Sequence, residues 1–259
     1  MAETLLNVEN VSKRFGGLLA VNDASFRVAA GRITALIGPN GAGKTTLFSI
    51  IAGFQSPDGG RVLYDSADIT GEPPHRLARR GIARTFQIVQ PFAGLTVREN
   101  IAIGAHLSHR GRNEALAAAG EIAQLVGLDA QLETPAATLT VAGRKRLELA
   151  RALAIAPRLL LLDEVLAGLN PSEIRDMIPV IRGIAGRGIT VLMTEHVMQA
   201  VMSLAEYVFV LAEGRVIAQG TPQQVAADTR VVEAYLGHGA AKRMAAGAAH
   251  GAAQGSAHG

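Results

Sequence analysis

A phosphate-binding loop constrains the fold of this chain more than any other feature of its sequence. Residues 38–45 read GPNGAGKT and match the pattern G-x-x-x-x-G-K-[ST]. An apolar run at 33–37, typical of a buried strand, precedes the loop, and an apolar stretch at 47–51 indicates a helix after it. Glycine lets backbone N–H groups turn towards phosphate oxygens, and a helix N-terminus adds its positive dipole end. A chance match in a glycine-rich turn is the competing interpretation, and the flanking strand and helix argue against it.

The side chains in and after this pattern predict a nucleoside triphosphate and Mg²⁺ as ligands. Lys44 is expected to reach the β- and γ-phosphates, and the Thr45 hydroxyl can ligate Mg²⁺. The metal also needs a carboxylate, and residues 159–164, LLLLDE, deliver two acids at the end of a second apolar strand. Asp163 is predicted to hold Mg²⁺, directly or through water, and Glu164 to polarise the attacking water. Two adjacent acids can also form a solvated turn, but the earlier loop favours nucleotide chemistry.

Composition excludes several classes of protein. The chain has 259 residues, 49% hydrophobic and 18% charged, which is enough for a sizeable core and atypical of a disordered chain. No apolar run approaches the roughly 18 residues that a membrane helix needs, and the N-terminal residues lack the pattern of a secretory signal. The absence of cysteine excludes disulfides and thiolate metal sites.

The charge pattern does not indicate a nucleic-acid binder. The net charge is only +3, and 4% of the residues are aromatic. Basic residues cluster at 76–84 and at 144–146. We interpret these clusters as solvated helix faces or as contacts to a partner or a phosphate.

The remaining periodicity predicts one strand-rich domain with a helical insertion. Strand patterns occur at 4–8, 22–28, 61–64, 82–86, 190–194, 207–211 and 215–218, with a hairpin turn at Glu213-Gly214. The pattern is mostly helical from about 92 to 155, so we predict a domain over 4–237 that contains this insertion. Residues 238–259 are rich in Ala and Gly, and we expect a disordered tail because they offer little apolar surface to offset their ordering entropy.

Further motifs occur in an order that resembles the ATP-binding cassette family. Residues 139–147, LTVAGRKRL, resemble the family's signature, Leu-Ser-Gly-Gly-Gln followed by basic residues and Leu. The other matching positions are Gln87 for the glutamine loop, residues 167–170 for the aspartate loop, His196 for the switch histidine and Phe15 for the adenine-stacking aromatic. Each residue proves little by itself, since a lone His or Phe is more often part of a core or a surface. Their order around the phosphate loop makes the resemblance specific over about residues 4–237.

The resemblance implies an α/β fold: a P-loop NTPase ATP-binding cassette with a RecA-like core, an antiparallel β subdomain and an inserted α-helical subdomain. It implies ATP and Mg²⁺ as cofactors, and two cassettes packed head to tail with ATP between them. The implied catalytic residues are Glu164, His196 and Gln87, and the implied metal ligands are Thr45, Gln87 and Asp163. The implied nucleotide contacts are Phe15, Gly38, Pro39, Asn40, Gly41, Ala42, Gly43, Lys44, Thr45 and Thr46, joined in trans by Leu139, Thr140, Val141, Ala142, Gly143 and Asn170.

Four longer stretches resemble the ATPase subunits of branched-chain amino acid importers: GIARTFQ at 81–87, LTVREN at 95–100, DEVLAGLNP at 163–171 and TEHVM at 194–198. This branch implies an ATPase that couples ATP hydrolysis to amino acid uptake, bound peripherally to the cytoplasmic face of a bacterial inner membrane. The implied partners are membrane permease subunits, a second ATPase subunit, identical or different, and indirectly a periplasmic solute-binding protein, with no nucleic acid. The alternatives are the same role for urea, amides or another small solute, and a cassette ATPase outside transport.

Other nucleotide-binding classes fit the sequence less well. A cassette ATPase of translation or DNA repair normally carries two cassettes or a long coiled-coil insertion, and neither is visible. A metabolic P-loop kinase would lack the signature and His196. A regulatory module without hydrolysis would be expected to lose Glu164 or Lys44, and both are present.

The signature departs from the family pattern but is expected to work. Thr140 keeps the hydroxyl of the usual Ser, while Ala142 replaces a Gly and Gly143 replaces the Gln. A helix N-terminus binds phosphate mainly through its N–H groups, and neither substitution removes one. Ala142 is tolerated if its φ is negative, as we expect at the start of a helix. The alternative is a weakened site that a partner with the standard signature compensates.

Apolar residues around the glutamine loop predict a docking groove. Phe86, Ile88, Val89, Phe92 and Leu95 lie close together in the sequence and are too apolar for a fully exposed loop. We expect them to receive a cytoplasmic helix of a permease. Burial inside the domain is the alternative.

Overall fold

The protein is described by a computed structural model over residues 3–85 and 91–236, and its strands form two sheets. The strands are β1 (Thr4–Phe15), β2 (Leu18–Ala29), β3 (Ile33–Ile37), β4 (Gly59–Tyr64), β5 (Ala67–Asp68), β6 (Ile82–Arg84), β7 (Leu159–Asp163), β8 (Thr190–Thr194), β9 (Tyr207–Ala212) and β10 (Arg215–Gly220). The helices are α1 (Lys44–Ile51), α2 (Pro74–Arg79), α3 (Val97–Ala105), α4 (Arg112–Val126), α5 (Val141–Leu153), α6 (Pro171–Ala185), α7 (Met198–Leu204), α8 (Pro222–Ala226) and α9 (Thr229–Leu236).

The larger sheet brings the predicted site residues to one edge. Its strand order is β10-β9-β3-β8-β7-β6, and every neighbouring pair from β9 to β6 is parallel. Parallel strands end at the same edge, where open α/β sheets bind their ligands. The phosphate loop follows β3, Glu164 follows β7, and His196 lies just beyond β8. The sheet therefore gathers segments that are far apart in the sequence.

The central strands are apolar throughout because both faces of the larger sheet are covered. Every residue of β7 is buried. Leu159 and Leu161 pack with α1 and the smaller sheet, whereas Leu160 and Leu162 pack with the helices of the opposite face. The two hydrophobic clusters hold β7 from both sides and so position the acids at its end.

The smaller sheet is antiparallel, in the order β2-β1-β4-β5. Its main strands alternate between buried and more exposed residues, which explains the period-two pattern of the sequence. The predicted hairpin between β9 and β10 is confirmed. Glu213 and Gly214 both have positive φ, 50° and 76°, as a tight two-residue hairpin turn requires.

Helices α3, α4 and α5 pack against one another between β6 and β7 in the chain. Asn100 on α3 is fully buried and fixes the segment that enters this layer. Its Nδ2 donates to the carbonyl oxygens of Phe92, Leu95 and Thr96 at 3.1, 3.3 and 2.9 Å, and its Oδ1 accepts from the Phe92 N–H at 2.9 Å. One buried amide thus satisfies four backbone groups.

The sequence analysis did not identify helices α6, α7, α8 and α9. For α6 the signal was present, since Asn170 and Glu173 form a capping box and Pro171 occupies the first turn. No helix in the described part of the chain is long and apolar enough to cross a membrane. Residues 238–259, expected to form a disordered tail, lie outside the described residues.

Candidate functional site

The phosphate loop requires glycine at two positions where other chain segments approach closely. Gly38 and Gly43 have φ values of +154° and +102°, which L side chains rarely adopt. A Cβ on Gly38 would collide with the carbonyl oxygen of Leu211 on β9, and a Cβ on Gly43 with that of Ala20 on β2. The loop is therefore held between the two sheets, and its conformation depends on both.

Helix α1 begins with free backbone donors beside a buried ammonium group. Its N-cap residue is Gly43, so no side chain caps the helix, and its first turn contains no acidic side chain. The first N–H groups of α1 are therefore available to an anion. The Lys44 ammonium donates to the carbonyl oxygens of Gly38 at 2.7 Å and Pro39 at 3.0 Å. Burial lowers the pKa of Lys44, and the carboxylates of Glu164 and Asp163 oppose that shift.

The Asp163 carboxylate is buried and bonded through both of its oxygens. Oδ1 accepts from the Thr194 hydroxyl at 2.8 Å, and Oδ2 accepts from the Arg84 guanidinium, also at 2.8 Å. Asp163 and the exposed Thr45 both line a groove of about 800 Å³. Carboxylate and hydroxyl oxygens are the donors that Mg²⁺ prefers, so these residues fit the predicted metal.

Glu164 leaves strand β7 with a left-handed backbone, φ 48°. That conformation costs a non-glycine residue on the order of 1 kcal/mol and persists only where the surroundings impose it. Here the Glu164 N–H donates to both the backbone oxygen and the hydroxyl of Thr194, at 3.1 and 3.2 Å. Lys145 of α5 donates to the Glu164 carbonyl oxygen at 3.5 Å. Strand β8 and helix α5 therefore both position this residue.

A second acid, Glu195, lies buried next to the exposed His196 and was missed by the sequence analysis. Its Oε1 accepts from the Leu166 N–H at 2.9 Å, whereas Oε2 has no hydrogen-bond partner among the described residues. Burial raises the pKa of Glu195 to about 7; the Glu164 charge adds to this shift and Lys145 opposes it. Glu195 thus joins the loop after β8 to the loop after β7.

The signature residues lie at an exposed helix start. Thr140 is the N-cap of α5, and its hydroxyl accepts from the Gly143 N–H at 3.1 Å. Ala142 lies within the helix and is not among the residues with positive φ, which confirms the predicted negative φ. Val141 stands at the first Gly of the family's signature and is 46% exposed. A partner molecule can therefore reach this helix start.

Three other predicted site residues are Phe15, Asn170 and Gln87. Phe15 is 44% exposed at the end of β1, and it pairs with Leu18 of β2, the strand against which Gly43 packs. The side chain of Asn170 already caps α6 through the N–H groups of Ser172 and Glu173. Gln87, assigned to both catalysis and metal binding, lies outside the described residues.

The C-terminal helix α9 also reaches the phosphate loop. Partial burial raises the pKa of Tyr235, and the nearby backbone of Gly38 opposes that shift. No pattern in the sequence linked this helix to the loop, because the contact joins residues from opposite ends of the chain.

Comparison with known proteins confirms the resemblance and the fold class inferred from the motifs. The family model for ABC transporters matches residues 21–167. The family model for branched-chain amino acid ATP-binding cassette transporters matches residues 215–241. The chain is 38% identical over 253 residues to the high-affinity branched-chain amino acid transport ATP-binding protein BraF of Pseudomonas aeruginosa, covering 92% of this chain and 99% of BraF. It is 35% identical over 238 residues to the lipopolysaccharide export system ATP-binding protein LptB of Haemophilus influenzae, covering 90% and 98%. The ADP conformation of MJ1267, an ATP-binding cassette of an ABC transporter, superposes with a TM-score of 0.83 at 32% identity, covering 92% of this chain and 100% of that one.

The raised pKa of Glu195 predicts how stability depends on pH. Between the ordinary Glu pKa of 4.5 and the folded value of about 7, the folded protein holds an extra proton. The stability that this proton contributes is complete below 4.5 and is lost as the pH rises through 7. Glu195→Gln stays neutral at every pH, so we expect it to exceed the wild type in free energy of unfolding by about 2–3 kcal/mol at pH 8 and by little at pH 5.

Urea unfolding at several pH values between 5 and 8 measures this difference. Glu206→Gln, at an exposed carboxylate, is the control and should show no comparable trend. A Glu195→Gln effect that is the same at pH 5 and pH 8 would contradict the role of burial.

Proposed function

Because the chain belongs to the ATP-binding cassette family of transporters, we propose that it is the ATP-hydrolysing subunit of an importer of branched-chain amino acids. One observation carries the chemical part of this proposal: the Lys44 ammonium, the Asp163 and Glu164 carboxylates and the free N–H groups of α1 meet at one edge of the sheet. The similarity to BraF and the match of residues 215–241 support the amino acid as the solute.

Different residues at this edge bind the phosphates, hold the metal and activate the attacking water. The first N–H groups of α1 bind phosphate oxygens, and the Lys44 ammonium exchanges its bonds to Gly38 and Pro39 for bonds to the β- and γ-phosphates. Thr45 and Asp163 would hold Mg²⁺, which when bound neutralises charge on the phosphates. Glu164 orients the attacking water and accepts its proton, and His196 lies on the neighbouring loop in an exposed position.

A second ATPase subunit completes the site. Thr140 and Val141 are exposed at the start of α5, so the N–H groups there can face the phosphates of a nucleotide bound to another subunit. Phe15, also exposed, supplies a flat surface for the adenine ring. ATP between two such subunits favours their closed arrangement, and hydrolysis releases it.

The groove that contains Thr45 and Asp163 is the proposed docking site for a permease. Apolar residues of two layers line it: Phe54, Leu77, Ile82, Ile103 and Ile155. Phe54 and Ile103 are 49% and 45% exposed, and apolar side chains exposed together in one groove are typical of a surface that binds another protein. A cytoplasmic permease helix in this groove would place the subunit peripherally at the cytoplasmic face of the inner membrane. The periplasmic solute-binding protein would act on it only through the permease.

The predicted docking residues beside the glutamine loop are described only in part. Phe92 is 46% exposed, and the Arg151 guanidinium lies 4.9 Å from its ring centroid. Leu95 is half-buried, and Phe86, Ile88 and Val89 lie outside the described residues. Phe92 therefore remains a candidate docking residue, next to an arginine that lines the groove.

A different solute is the alternative. The chain is almost as similar to LptB, a lipopolysaccharide export ATP-binding protein, as to BraF. The ATPase subunit does not itself contact the solute, so the cassette motifs do not distinguish amino acids from urea, amides or a lipid. Uptake of labelled solutes in cells decides between these possibilities.

The role of Glu164 provides the first functional test. Glu164→Gln should keep ATP affinity but slow ATP turnover by about 10²-fold or more, because it removes the general base. In cells, the same variant should abolish uptake of labelled leucine, isoleucine and valine but not of urea. Lys44→Ala should instead weaken ATP binding. Turnover at the wild-type rate in Glu164→Gln would contradict the catalytic role, and unchanged leucine uptake would contradict the assigned solute.

The groove provides the second test. Ile103→Asp places a charge on the groove wall, so the variant should no longer co-purify from membranes with the permease subunits. Leu107→Asp is the matched control, because Leu107 is 44% exposed in the turn just after α3 and does not line the groove. Thermal unfolding should confirm that both variants fold. Normal co-purification of Ile103→Asp would argue against docking in the groove.

The signature provides the third test. Since Ala142 has negative φ within α5, restoring Gly should change the ATPase rate by less than tenfold, which is about 1.4 kcal/mol of activation free energy. The rate should be measured for the chain alone and with its partner ATPase. Ala117→Gly, at an exposed position of α4, controls for the general cost of glycine in a helix. A tenfold or larger rise in Ala142→Gly would show that the divergent signature weakens the site.

A further inference from the structure

Arg84, which the sequence analysis did not assign to the site, pairs with the Asp163 carboxylate. Its guanidinium contacts Asp163 Oδ2 at 2.8 Å, and the two side chains are only 10% and 5% exposed. Ion pairs at the surface of a protein contribute little, but in a buried pair each charge depends on the other. The negative charge of the buried Asp163 carboxylate is therefore balanced by the positive charge of Arg84.

Two further contacts hold the guanidinium in place. Arg84 donates to the Ser49 hydroxyl at 3.1 Å, which ties it to α1, the helix that follows the phosphate loop. It also lies over the Phe54 ring, 5.6 Å from the centroid. Arg84 and Phe54 both line the groove proposed for the permease, as does Asp163. One side chain thus connects the groove wall with the carboxylate.

A cation bound to Asp163 must share this carboxylate with Arg84. Two positive charges beside one carboxylate repel each other, and the repulsion is strong where burial excludes water. From this geometry we infer that Arg84 is a positioning residue that competes with the divalent cation for Asp163. A permease segment that places an acidic side chain in the groove would pair with Arg84 and so release the carboxylate to the metal. This inference rests on the proposed function and adds a route by which permease docking controls metal binding.

Isothermal titration with ADP tests the competition without relying on turnover. The quantity to measure is the ratio of ADP affinity in Mg²⁺ to ADP affinity in EDTA, which reports the contribution of the metal. Arg84→Met removes the competing charge, so this ratio should rise at least tenfold, while affinity in EDTA stays within about threefold. A ratio that falls would overturn the inference, because it would show that Arg84 only supports the carboxylate.

Matched variants distinguish the effect of removing the Arg84 charge from the effect of disturbing the fold. Arg80→Met removes an exposed arginine that pairs with Glu72, and it should leave the ratio unchanged. Arg84→Gln removes the same charge but keeps an amide donor for Asp163; it should raise the ratio as well, and it replaces Arg84→Met if that variant fails to fold. With permease subunits bound, the ratio should rise in the wild type and not in Arg84→Met. An unchanged wild-type ratio in that complex would overturn the link to the groove.

The same titration distinguishes this inference from the proposed function. A wild-type chain that binds no ADP in either buffer contradicts the function itself. A wild-type chain that binds ADP, with a ratio that Arg84→Met and Arg84→Gln leave unchanged, contradicts only the role of Arg84.

Discussion

The carboxylate of Asp163, at the buried end of β7, is the group on which the rest of the site depends. A buried carboxylate is costly unless its oxygens are bonded, and here the hydroxyl of Thr194 and the guanidinium of Arg84 bond one oxygen each. These bonds join the ends of β6, β7 and β8. The adjoining segments carry Glu164, Glu195 and His196, so the bonds of this carboxylate help to fix the strand ends from which these residues project.

The phosphate loop has a similar dependence on its surroundings. Gly38 packs against β9 of the larger sheet and Gly43 against β2 of the smaller one. The loop conformation that frees the N–H groups of α1 therefore requires both sheets to be in place. This arrangement also brings the β1–β2 hairpin, with Phe15, next to the loop, so the proposed adenine surface and the phosphate site are built together.

The groove shows why nucleotide chemistry and partner binding can be linked in such a small domain. Its walls include Ile103 of the helical layer as well as Thr45 and Asp163 of the sheet edge. A partner that fills the groove therefore lies within reach of the groups proposed to hold the metal. The helical layer is anchored by the buried Asn100 and contacts the Glu164 carbonyl oxygen through Lys145, so a displacement of this layer would act directly on the loop proposed to be catalytic.

The sequence by itself determined the strand–loop–helix unit around Lys44, the acids at the end of an apolar strand and the order of the motifs. These features are local: a phosphate loop needs its glycines, and a strand covered on both faces must be apolar. It also predicted the negative φ of Ala142, because helix starts constrain the backbone locally. Only the tertiary structure decided that Arg84 pairs with Asp163, that Glu195 is buried with a raised pKa, and that Tyr235 reaches Gly38. Each of these contacts joins residues from distant segments, and whether a charged side chain is solvated or buried depends on what the fold packs around it rather than on its neighbours in the chain.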